Sequence, residues 1–409
     1  MQRIEEVNWE HRLLRQFKTP VITRVMIYIY LLISFYEPFL NGTIGSVTKY
    51  YMFALMGVAI VAAHNVKIRK HHIFFFFWLA YQIFTLFWTS SYDIAKLHFL
   101  SQVGMVALLF TLTAIPICDK TISGIINTLW LGSASVGFLS LFFSQPYHGK
   151  FEQRLVLTLF GAEAEPNNQA AFVVIGVAVS FYYIIVEKRY IIPSILIVVI
   201  NTYSLFLTGS RGGLVSLIVI VLCFVFFNGK IVPLRKNLMK IFLIVIFVVT
   251  VYFVTTHYLD KDIFERLFNF EDYEGGSERA ALWSNAWELF STSVYPVFGA
   301  GWGAYYGYKG YYSDVHNTYL AMLCDVGIIG FMAFFTPIAY ASVSLLKRRD
   351  ILPIALLIAG FMPAFFIGSI NKRYFWNAII FLFIIYNYVK ENERARKNTK
   401  PTNNRKDDE

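Results

Sequence analysis

A seven-residue polar stretch, TGSRGGL at 208–214, separates two long apolar segments and contains one cation, Arg211. A charged side chain at the edge of hydrocarbon is costly unless it reaches water or meets an anion. A guanidinium also presents its N–H groups in a fork that matches phosphate oxygens. The neighbouring glycines allow a tight reversal and leave room beside the cation. Arg211 is therefore either an arginine that simply reaches the membrane surface or a contact for phosphate.

A second polar stretch, SDVHNTYLAMLCDVGIIGFM at 313–332, leads into an apolar segment through His316 and Asn317. Histidine is the side chain most often used as a general acid or base near neutral pH. Helical spacing places Asp325, nine residues after His316, on the opposite face, so these two residues are not predicted to pair. Gly327 and Gly330 permit close helix packing below the site. The alternative is that the His-Asn pair only caps a helix or forms local hydrogen bonds.

A third stretch, QRLVLTLFGAEAEPNNQAAF at 153–172, combines Arg154 with amides that open an apolar segment. Pro166 suits the first position of a helix because its missing N–H donor would have no partner there. Asn167 follows directly and can bind a sugar hydroxyl or help to cap the helix. The sequence leaves both roles for Asn167 open.

Three more cations lie in connections between apolar segments. Lys372 and Arg373 belong to INKRYFW at 370–376, and Arg279 lies in a long polar stretch. Cations gathered on one side of a membrane predict an anionic ligand that stays at the membrane surface. A solvated charged face is the simpler alternative.

Spacings typical of metal, nucleotide and nucleic-acid sites are missing from the sequence. The eight histidines form no HxxxH motif, and the three cysteines form no CxxC pair. The glycines of GAGWG at 299–303 follow no predicted strand, which argues against a phosphate-binding nucleotide loop. Lysine and arginine occur in short clusters between apolar runs, which indicates membrane topology rather than nucleic-acid binding. We therefore predict no metal, no cofactor and no nucleic-acid partner.

Long apolar segments must position these residues. The chain has 409 residues, of which 57% are hydrophobic and 15% charged. Runs of about 20 apolar residues can cross a bilayer core as helices, and the segments lack the period-two alternation of a membrane β-barrel. The sequence predicts an all-α polytopic membrane protein with about twelve transmembrane helices at 25–40, 47–63, 73–90, 97–117, 122–143, 167–186, 190–208, 213–228, 240–257, 317–345, 351–369 and 374–389.

The distribution of lysine and arginine predicts the orientation of these helices. With the N-terminus inside, 25 of the 36 Lys and Arg residues fall on the inner side, as the positive-inside rule requires. Both termini are then cytoplasmic, with a segment at 1–24, a membrane domain at 25–389 and a disordered tail at 390–409. The outer face carries two large loops, at about 144–166 and 258–316.

The larger outer loop is predicted to contain a helix around 275–290, GGSERAALWSNAWELF. Its apolar residues recur at helical spacing and include two tryptophans four residues apart. Such a helix lies along the membrane interface, packs against neighbouring helix ends, or does both.

Several of these motifs together resemble one family. HNTYLAMLCDVGIIG at 316–330, TGSRGGL, and RAALWSNAWELF followed by YPVFGAGWGAYY are similar to the O-antigen ligase and O-antigen polymerase superfamily of bacterial glycan assembly. The likeness covers about 200–335, and EPNNQAAF at 165–172 is similar to an asparagine-bearing segment of many members. Many ligases carry a second histidine two positions before the one in the motif, where this chain has Asp314.

The resemblance implies a twelve-helix glycosyltransferase with its site at the outer face of the bacterial cytoplasmic membrane. Its donor would be an oligosaccharide on polyprenyl pyrophosphate. Arg211 would contact the pyrophosphate, with Arg279 and Arg373 as further contacts. His316 would act as the base or position the acceptor. In-line attack by the acceptor hydroxyl would invert the anomeric centre, and nothing in the motifs requires a metal.

Three functions fit this sequence. The first is a repeat-unit polymerase for O-antigen, capsule or exopolysaccharide, which extends a glycan on a lipid-linked acceptor and has a chain-length regulator as an expected partner. The second is a ligase that transfers finished glycan to a lipid A-core or another acceptor. The third is a transporter of lipid-linked sugars, although transporters place ionisable groups near the bilayer midplane and this sequence places them at segment ends.

Overall fold

The computed structural model describes residues 19–43, 46–63, 66–148, 154–226, 274–310 and 314–399. Four sequence-based predictions lie wholly or partly outside these residues: most of the cytoplasmic N-terminal segment, the ninth transmembrane helix at 240–257, residues 258–273 and 311–313 of the larger predicted loop, and the tail from 400. Everything below concerns the described residues.

Helices make up most of the described chain. The first eight are α1 (Val21–Thr43), α2 (Val47–Ala62), α3 (Lys70–Thr85), α4 (Tyr92–Ala114), α5 (Asp119–Phe143), α6 (Pro166–Phe181), α7 (Ile191–Leu207) and α8 (Arg211–Phe226). A π-helical turn, Tyr182–Glu187, extends α6. The remaining five are α9 (Glu274–Phe290), α10 (Tyr295–Phe298), α11 (Thr318–Lys347), α12 (Ile351–Phe361) and α13 (Arg373–Thr399). Eleven of the twelve predicted spans coincide with helices in this set.

Five of the described helical segments are long and apolar enough to cross a bilayer: Val21–Leu40, Tyr92–Ala114, Asp119–Phe143, Pro166–Glu187 and Thr318–Lys347. Four others are apolar but shorter: Val47–Ala62, Ile191–Leu207, Arg211–Phe226 and Ile351–Phe365. The chain is therefore a mostly helical integral membrane protein. The total of twelve crossings stays a prediction.

The helices pack around one large apolar core. Aromatic rings fill its centre, where Trp78, Phe334 and Trp376 meet with ring centroids 4.7 to 6.0 Å apart. Such tilted and edge-on contacts are the arrangements that aromatic rings favour. Because these rings come from α3, α11 and α13, they fix the relative positions of three helices that reach the candidate site.

Charged contacts at one end of the bundle join segments that the topology prediction places on the inner side. Lys67 and Arg69 each lie 3.0 Å from the carboxylate of Glu391, Arg348 pairs with Glu393, and Tyr388 donates to Asp119. The segments that precede α3, α5 and α12 thus share one end with the last turns of α13. Which membrane face this end occupies remains a prediction.

The segment at 144–166, which the topology prediction places outside, contains a small antiparallel sheet, and this corrects the all-α prediction for it. Its strands are β1 (Ser144–Pro146), β2 (Leu155–Leu159) and β3 (Ala162–Glu163), in the order β1-β2-β3. Two residues with positive φ, Phe160 and Gly161, turn the chain between β2 and β3, as tight hairpins require. The five residues of β2 are too short for a convincing period-two pattern, which is why the sequence did not reveal the strand.

The last helix is longer than predicted. α13 continues to Thr399, ten residues beyond the predicted end at 389. Residues 390–399 of the predicted tail are thus helical in the structure. Ion pairs from Glu391 and Glu393 to the helix connections supply tertiary contacts that a polar composition does not show.

Candidate functional site

The first turn of α6 is organised by Glu165. Its side chain caps the helix by accepting a hydrogen bond from the Asn168 backbone N–H at 2.8 Å. The other carboxylate oxygen accepts from Asn167 Nδ2 at 2.7 Å. An acidic residue at this position also interacts favourably with the helix dipole. Pro166 occupies the first turn, as predicted.

A hydrogen bond joins this turn to the TGSRGGL stretch. Ser210 donates its hydroxyl to Asn167 Oδ1 at 2.8 Å and accepts from the Gly213 N–H at 3.1 Å. Asn167 and Ser210 are 8% and 1% exposed, so both groups are satisfied inside the protein. Arg211 follows as the first residue of α8 and is partly exposed. The structure thus brings the first and third polar stretches together.

Arg279, in α9, lies within electrostatic range of both Glu165 and Arg211. Burial lowers the pKa of Arg279, the Glu165 carboxylate raises it, and the positive charge of Arg211 lowers it again, with a net lowering. An arginine keeps its proton throughout the physiological range even so. Arg279 therefore has one carboxylate and one further guanidinium in its surroundings.

The β-hairpin closes one side of this cluster. Arg154, just before β2, is 7% exposed, and its carbonyl accepts from the Tyr147 N–H at 2.8 Å. Partial burial raises the pKa of Tyr147, and nearby Glu165 raises it further while Arg154 opposes the change. Arg154 therefore lies on the same side of the protein as Glu165.

Gln169 holds the hairpin against the helices. The Leu157 N–H of β2 donates to Gln169 Oε1 at 2.8 Å. Gln169 Nε2 donates to Ser140 of α5 and Ser204 of α7, at 3.1 and 3.2 Å. Because the amide is fully buried and links four elements, it fixes the position of α6 and hence of Asn167.

His316 and Asn317 form the entry to α11, as predicted. Asn317 caps the helix, and its Oδ1 accepts from the N–H groups of Tyr319 and Leu320 at 3.1 Å each. His316 has a positive φ of 53° and is partly exposed. Within the described ranges, no hydrogen bond engages its imidazole. The capping role accounts for Asn317, whereas the conformation of His316 turns the chain just before the helix.

The α12–α13 connection, residues 362–372, links the two halves of the site. At its α8 side, Phe366 packs so closely on Gly212 that an added Cβ would lie 2.6 Å from the ring. At its α11 side, Thr318 donates to the Ile367 carbonyl at 2.8 Å and accepts from the Ser369 N–H at 2.7 Å. The residues after Arg211 and after His316 therefore contact the same short segment.

Tyr374 extends this link toward Glu165. The Tyr374 hydroxyl lies 2.8 Å from the Ser369 hydroxyl. The same hydroxyl is within electrostatic range of the Glu165 carboxylate. A continuous polar region thus runs from the start of α8, past the start of α6, to the start of α11. We call the region defined by Glu165, Asn167, Arg211, Arg279 and His316 the candidate site.

The glycine-rich segment at 299–303 has a structural role and is not a nucleotide loop. Gly299 and Gly301 have positive φ, and an added Cβ at either would lie within 2.6 Å of backbone in α11 or near α3. The Ala300 and Gly301 N–H groups donate to the Cys324 and Asp325 carbonyls at 2.7 and 3.1 Å. The helix is kinked at Gly327, with φ 58° and ψ −169°. The N–H groups of the glycine-rich segment therefore pair with carbonyl groups of α11 just before the kink.

The loop helix α9 packs on this same region. Its apolar face of Leu282, Ala286, Leu289 and Phe290 is buried against the segment around 300–305, while Trp287 is 58% exposed. Tyr305 donates to the Leu282 carbonyl at 3.0 Å and fixes the helix near Arg279. Packing against helix ends is therefore shown for α9, and contact of Trp287 with the interface stays a prediction.

Lys372 and Arg373 differ in their surroundings. Lys372 is partly exposed, and its N–H donates to the Ser369 carbonyl at 2.8 Å, next to the candidate site. Arg373 is buried, and its Nε donates to Glu37 of α1 at 2.6 Å. The guanidinium of Arg373 is thus engaged in an ion pair with α1, and its contact with pyrophosphate stays a prediction.

Three groups in or beside the site were not predicted from sequence: Glu165 as its central carboxylate, Tyr374, and Asp314. The Asp314 carboxylate packs against Gly368, where an added Cβ would overlap it. An acidic residue before Pro166 is a recognisable capping signal, so Glu165 could have been found. Tyr374 lies in the INKRYFW stretch, but there the cations Lys372 and Arg373 carried the signal and the tyrosine did not.

Chemically, the candidate site is suited to an anion next to a group that can carry a proton. The N-termini of α6, α8, α11 and α13 all lie at this end of the bundle, and helix N-termini carry partial positive charge. Arg211 and Arg279 add full charges, while Glu165 and Asn167 hold the arrangement. In the described ranges, no group of three or more His, Cys, Asp or Glu side chains is arranged to hold a metal ion.

The fold and the site together define an integral membrane protein with a guanidinium-rich polar site at one end of its helices. Comparison with protein families gives a match to the O-antigen ligase family over residues 196–335. This segment includes both TGSRGGL and HNTYLAMLCDVGIIG. The predicted resemblance to the O-antigen ligase and polymerase superfamily is thus confirmed, and the match supports a ligase- or polymerase-type function in O-antigen biosynthesis. Comparison with curated proteins found no match.

Proposed function

We propose that the protein is a membrane glycosyltransferase that transfers a polyprenyl-pyrophosphate-linked oligosaccharide to a sugar hydroxyl at the outer face of the cytoplasmic membrane. The observation that carries this proposal is that Arg279 lies within electrostatic range of both Glu165 and Arg211, while Gly212 beside Arg211 and Thr318 near His316 contact the same α12–α13 connection. The repeat-unit polymerase is our leading assignment.

In this mechanism the acceptor hydroxyl attacks the anomeric carbon of the donor sugar while the bond to the pyrophosphate oxygen breaks. The electron pair of that bond leaves with polyprenyl pyrophosphate, and the hydroxyl proton passes to His316. Arg211 and Arg279 stabilise the charge that develops on the departing phosphate. Attack opposite the leaving group inverts the anomeric centre. Arg154, Asn167 and Lys372 are proposed as further contacts for the donor or the acceptor.

Substitution of the two central residues tests this proposal. We expect Arg211→Ala to reduce glycan extension by roughly 100-fold or more, because it removes a charge-stabilising donor. His316→Ala should reduce extension by a similar or larger factor, since positioned proton transfer contributes roughly 100- to 10,000-fold. Extension is measured in membranes supplied with lipid-linked oligosaccharide, and the amount of inserted protein is checked by immunoblot.

Lys309 supplies a matched control. It is an outer-loop cation that pairs with Glu288 at 2.6 Å and lies in the segment after α10. Lys309→Gln should leave extension within about twofold, because exposed ion pairs contribute little. Wild-type extension by the Arg211 or His316 variant would remove that residue from the mechanism. Equal loss in all three variants would indicate a general effect of the outer face rather than a site.

A ligase is the second candidate, since the matching family is described as O-antigen ligase. The glycans of a deletion strain distinguish the two. Single capped repeats would indicate a lost polymerase, whereas full-length glycan retained on the lipid carrier would indicate a lost ligase.

A further inference from the structure

A charged cavity lies at the opposite end of the helices from the candidate site. It has a volume of about 850 Å³ and is formed by the start of α3 with the segment before it, by the second half of α11, and by α13 from Phe383 to Arg394. From Tyr374 beside the candidate site to Lys390 at this cavity, α13 rises by about 24 Å at 1.5 Å per residue. The cavity is therefore a separate feature.

Positive charge is in excess around the mouth of this cavity. Its lining includes five cationic side chains and two carboxylates: Lys67, Arg69, Lys70, Lys390, Arg394, Glu391 and Glu393. The carboxylates are already engaged, because Glu391 lies 3.0 Å from both Lys67 and Arg69, and Glu393 pairs with Arg348. In the part of the chain that the structure describes, no carboxylate pairs with Lys70, Lys390 or Arg394.

Below its charged entrance the cavity has apolar walls, and it is open on one side of the helix bundle. Phe74 and Tyr340 line the cavity and are 40% and 65% exposed, although they lie on helices of the membrane domain. Pro337 of α11 and Phe383 of α13 line the deeper part. From Phe383 to Arg394 the wall extends about 16 Å along α13. The cavity thus combines a cationic head with an apolar groove that faces the surrounding lipid.

We propose that this cavity, here called the cationic slot, binds an anionic phospholipid of the cytoplasmic leaflet. The phosphate lies between Lys70, Lys390 and Arg394, and an acyl chain lies along Phe74 and Tyr340. Basic pockets between transmembrane helices at the cytoplasmic side suit such headgroups. A soluble phosphate would use the cations but not the apolar groove, so the shape favours a lipid. This inference is independent of the glycan transfer proposed above.

Lipid retention by the purified full-length protein tests the proposal. The slot variant is Lys70→Gln, Lys390→Gln and Arg394→Gln combined, and the matched control is Lys120→Gln, Lys188→Gln and Lys347→Gln. The control removes three exposed cations from connections predicted to lie on the same membrane side, and none of them lines the slot. Each protein is placed in nanodiscs of phosphatidylcholine with increasing phosphatidylglycerol, and tightly bound lipid is measured by native mass spectrometry after transfer to detergent.

We expect the wild type and the control to retain phosphatidylglycerol in preference to phosphatidylcholine, and the slot variant to need about tenfold more of it for the same occupancy, a loss of about 1.4 kcal/mol. Equal retention by slot variant and control would overturn the proposal. Displacement of the lipid by millimolar inorganic phosphate or pyrophosphate would also overturn it in favour of a soluble anion. If the triple variant does not remain monodisperse, Lys70→Gln against Lys120→Gln gives the same comparison with one charge removed.

Discussion

Arg373 and Glu37 form a buried ion pair between the last and first described helices, with Nε 2.6 Å from Oε1. Among the described residues, Arg279 lies within electrostatic range of one carboxylate, Glu165, and of a second guanidinium, Arg211. Both arginines have the residue type expected of a phosphate contact. The side chain that contacts each guanidinium distinguishes an arginine with a structural role from a candidate for ligand binding. The local sequence does not reveal this contact.

Removal of Arg373 should destabilise the protein strongly. Arg373→Ala leaves the Glu37 carboxylate without its partner in a mostly buried position, and loss of one member of a buried pair costs about 3–5 kcal/mol. The expected result is a lower apparent melting temperature of the detergent-solubilised protein, which tryptophan fluorescence measures. The double variant Arg373→Met with Glu37→Gln should recover much of the loss, since it leaves no unpaired charge. A single variant as stable as the wild type would contradict the structural role.

At the scale of elements, α11 is two helical segments joined at Gly327. The backbone there has φ 58° and ψ −169°, a combination essentially restricted to glycine. Val297 and Gly299 press against the kink, and an added Cβ would lie 2.4 Å from the Val297 carbonyl oxygen. The kink therefore forms the surface on which Val297 and Gly299 pack. These two residues belong to the segment that follows α9, the helix that carries Arg279.

A methyl group at the kink should be poorly tolerated. We expect Gly327→Ala to destabilise the protein by at least about 2 kcal/mol, through backbone strain and overlap with Val297. Gly57 in α2 is the matched control, because no atom lies within 4 Å of its added Cβ. Gly57→Ala should be neutral or stabilising by up to about 1 kcal/mol. Thermal inactivation of glycan transfer checks both, and equal stability of the two variants would contradict the kinked packing.

Much of the element pattern could be predicted because apolar length and helix-capping residues are local properties. The starts of α6 and α11 follow Pro166 and Asn317 closely. The kink of α11, the hairpin at 144–163 and the extension of α13 to Thr399 could not be predicted in this way. Each depends on contacts with distant segments: Val297 with Gly327, Gln169 with Leu157, and Glu391 with Lys67.

For the whole molecule, the two polar ends of the bundle differ in character. One end carries the candidate site with the hairpin and α9, and the other carries the cationic slot with the connections before α3 and after α11. The charge bias assigns the first end to the outside and the second to the cytoplasm. The predicted orientation follows from the excess of Lys and Arg at the slot end.

Cysteine labelling tests this orientation. In a background with alanine at Cys118, Cys223 and Cys324, Phe160→Cys lies at the tip of the hairpin, where Phe160 is 76% exposed. Lys347→Cys lies exposed at the end of α11. A membrane-impermeant maleimide applied to spheroplasts should label Phe160→Cys at once and Lys347→Cys only after permeabilisation. The reverse pattern would invert the topology and move the candidate site to the cytosol.

The candidate site was partly predictable at this scale. Arg211, His316, Asn167 and Arg279 could be named because polar residues beside membrane segments are rare and therefore informative. Their common location depends on the α12–α13 connection, through Phe366 and Thr318. Arg373 could not be separated from them by sequence, because Glu37, its partner, precedes it by 336 residues.

That distance along the chain has a consequence for biogenesis. At a translation rate of about 5–20 residues per second, Arg373 emerges from the ribosome on the order of half a minute after Glu37. Throughout that interval α1 carries an unmatched acidic group, whose charged form is expensive in lipid. The bundle therefore reaches its mature arrangement only when its final helix has been inserted, and a polypeptide truncated before Arg373 is a natural substrate for membrane quality control.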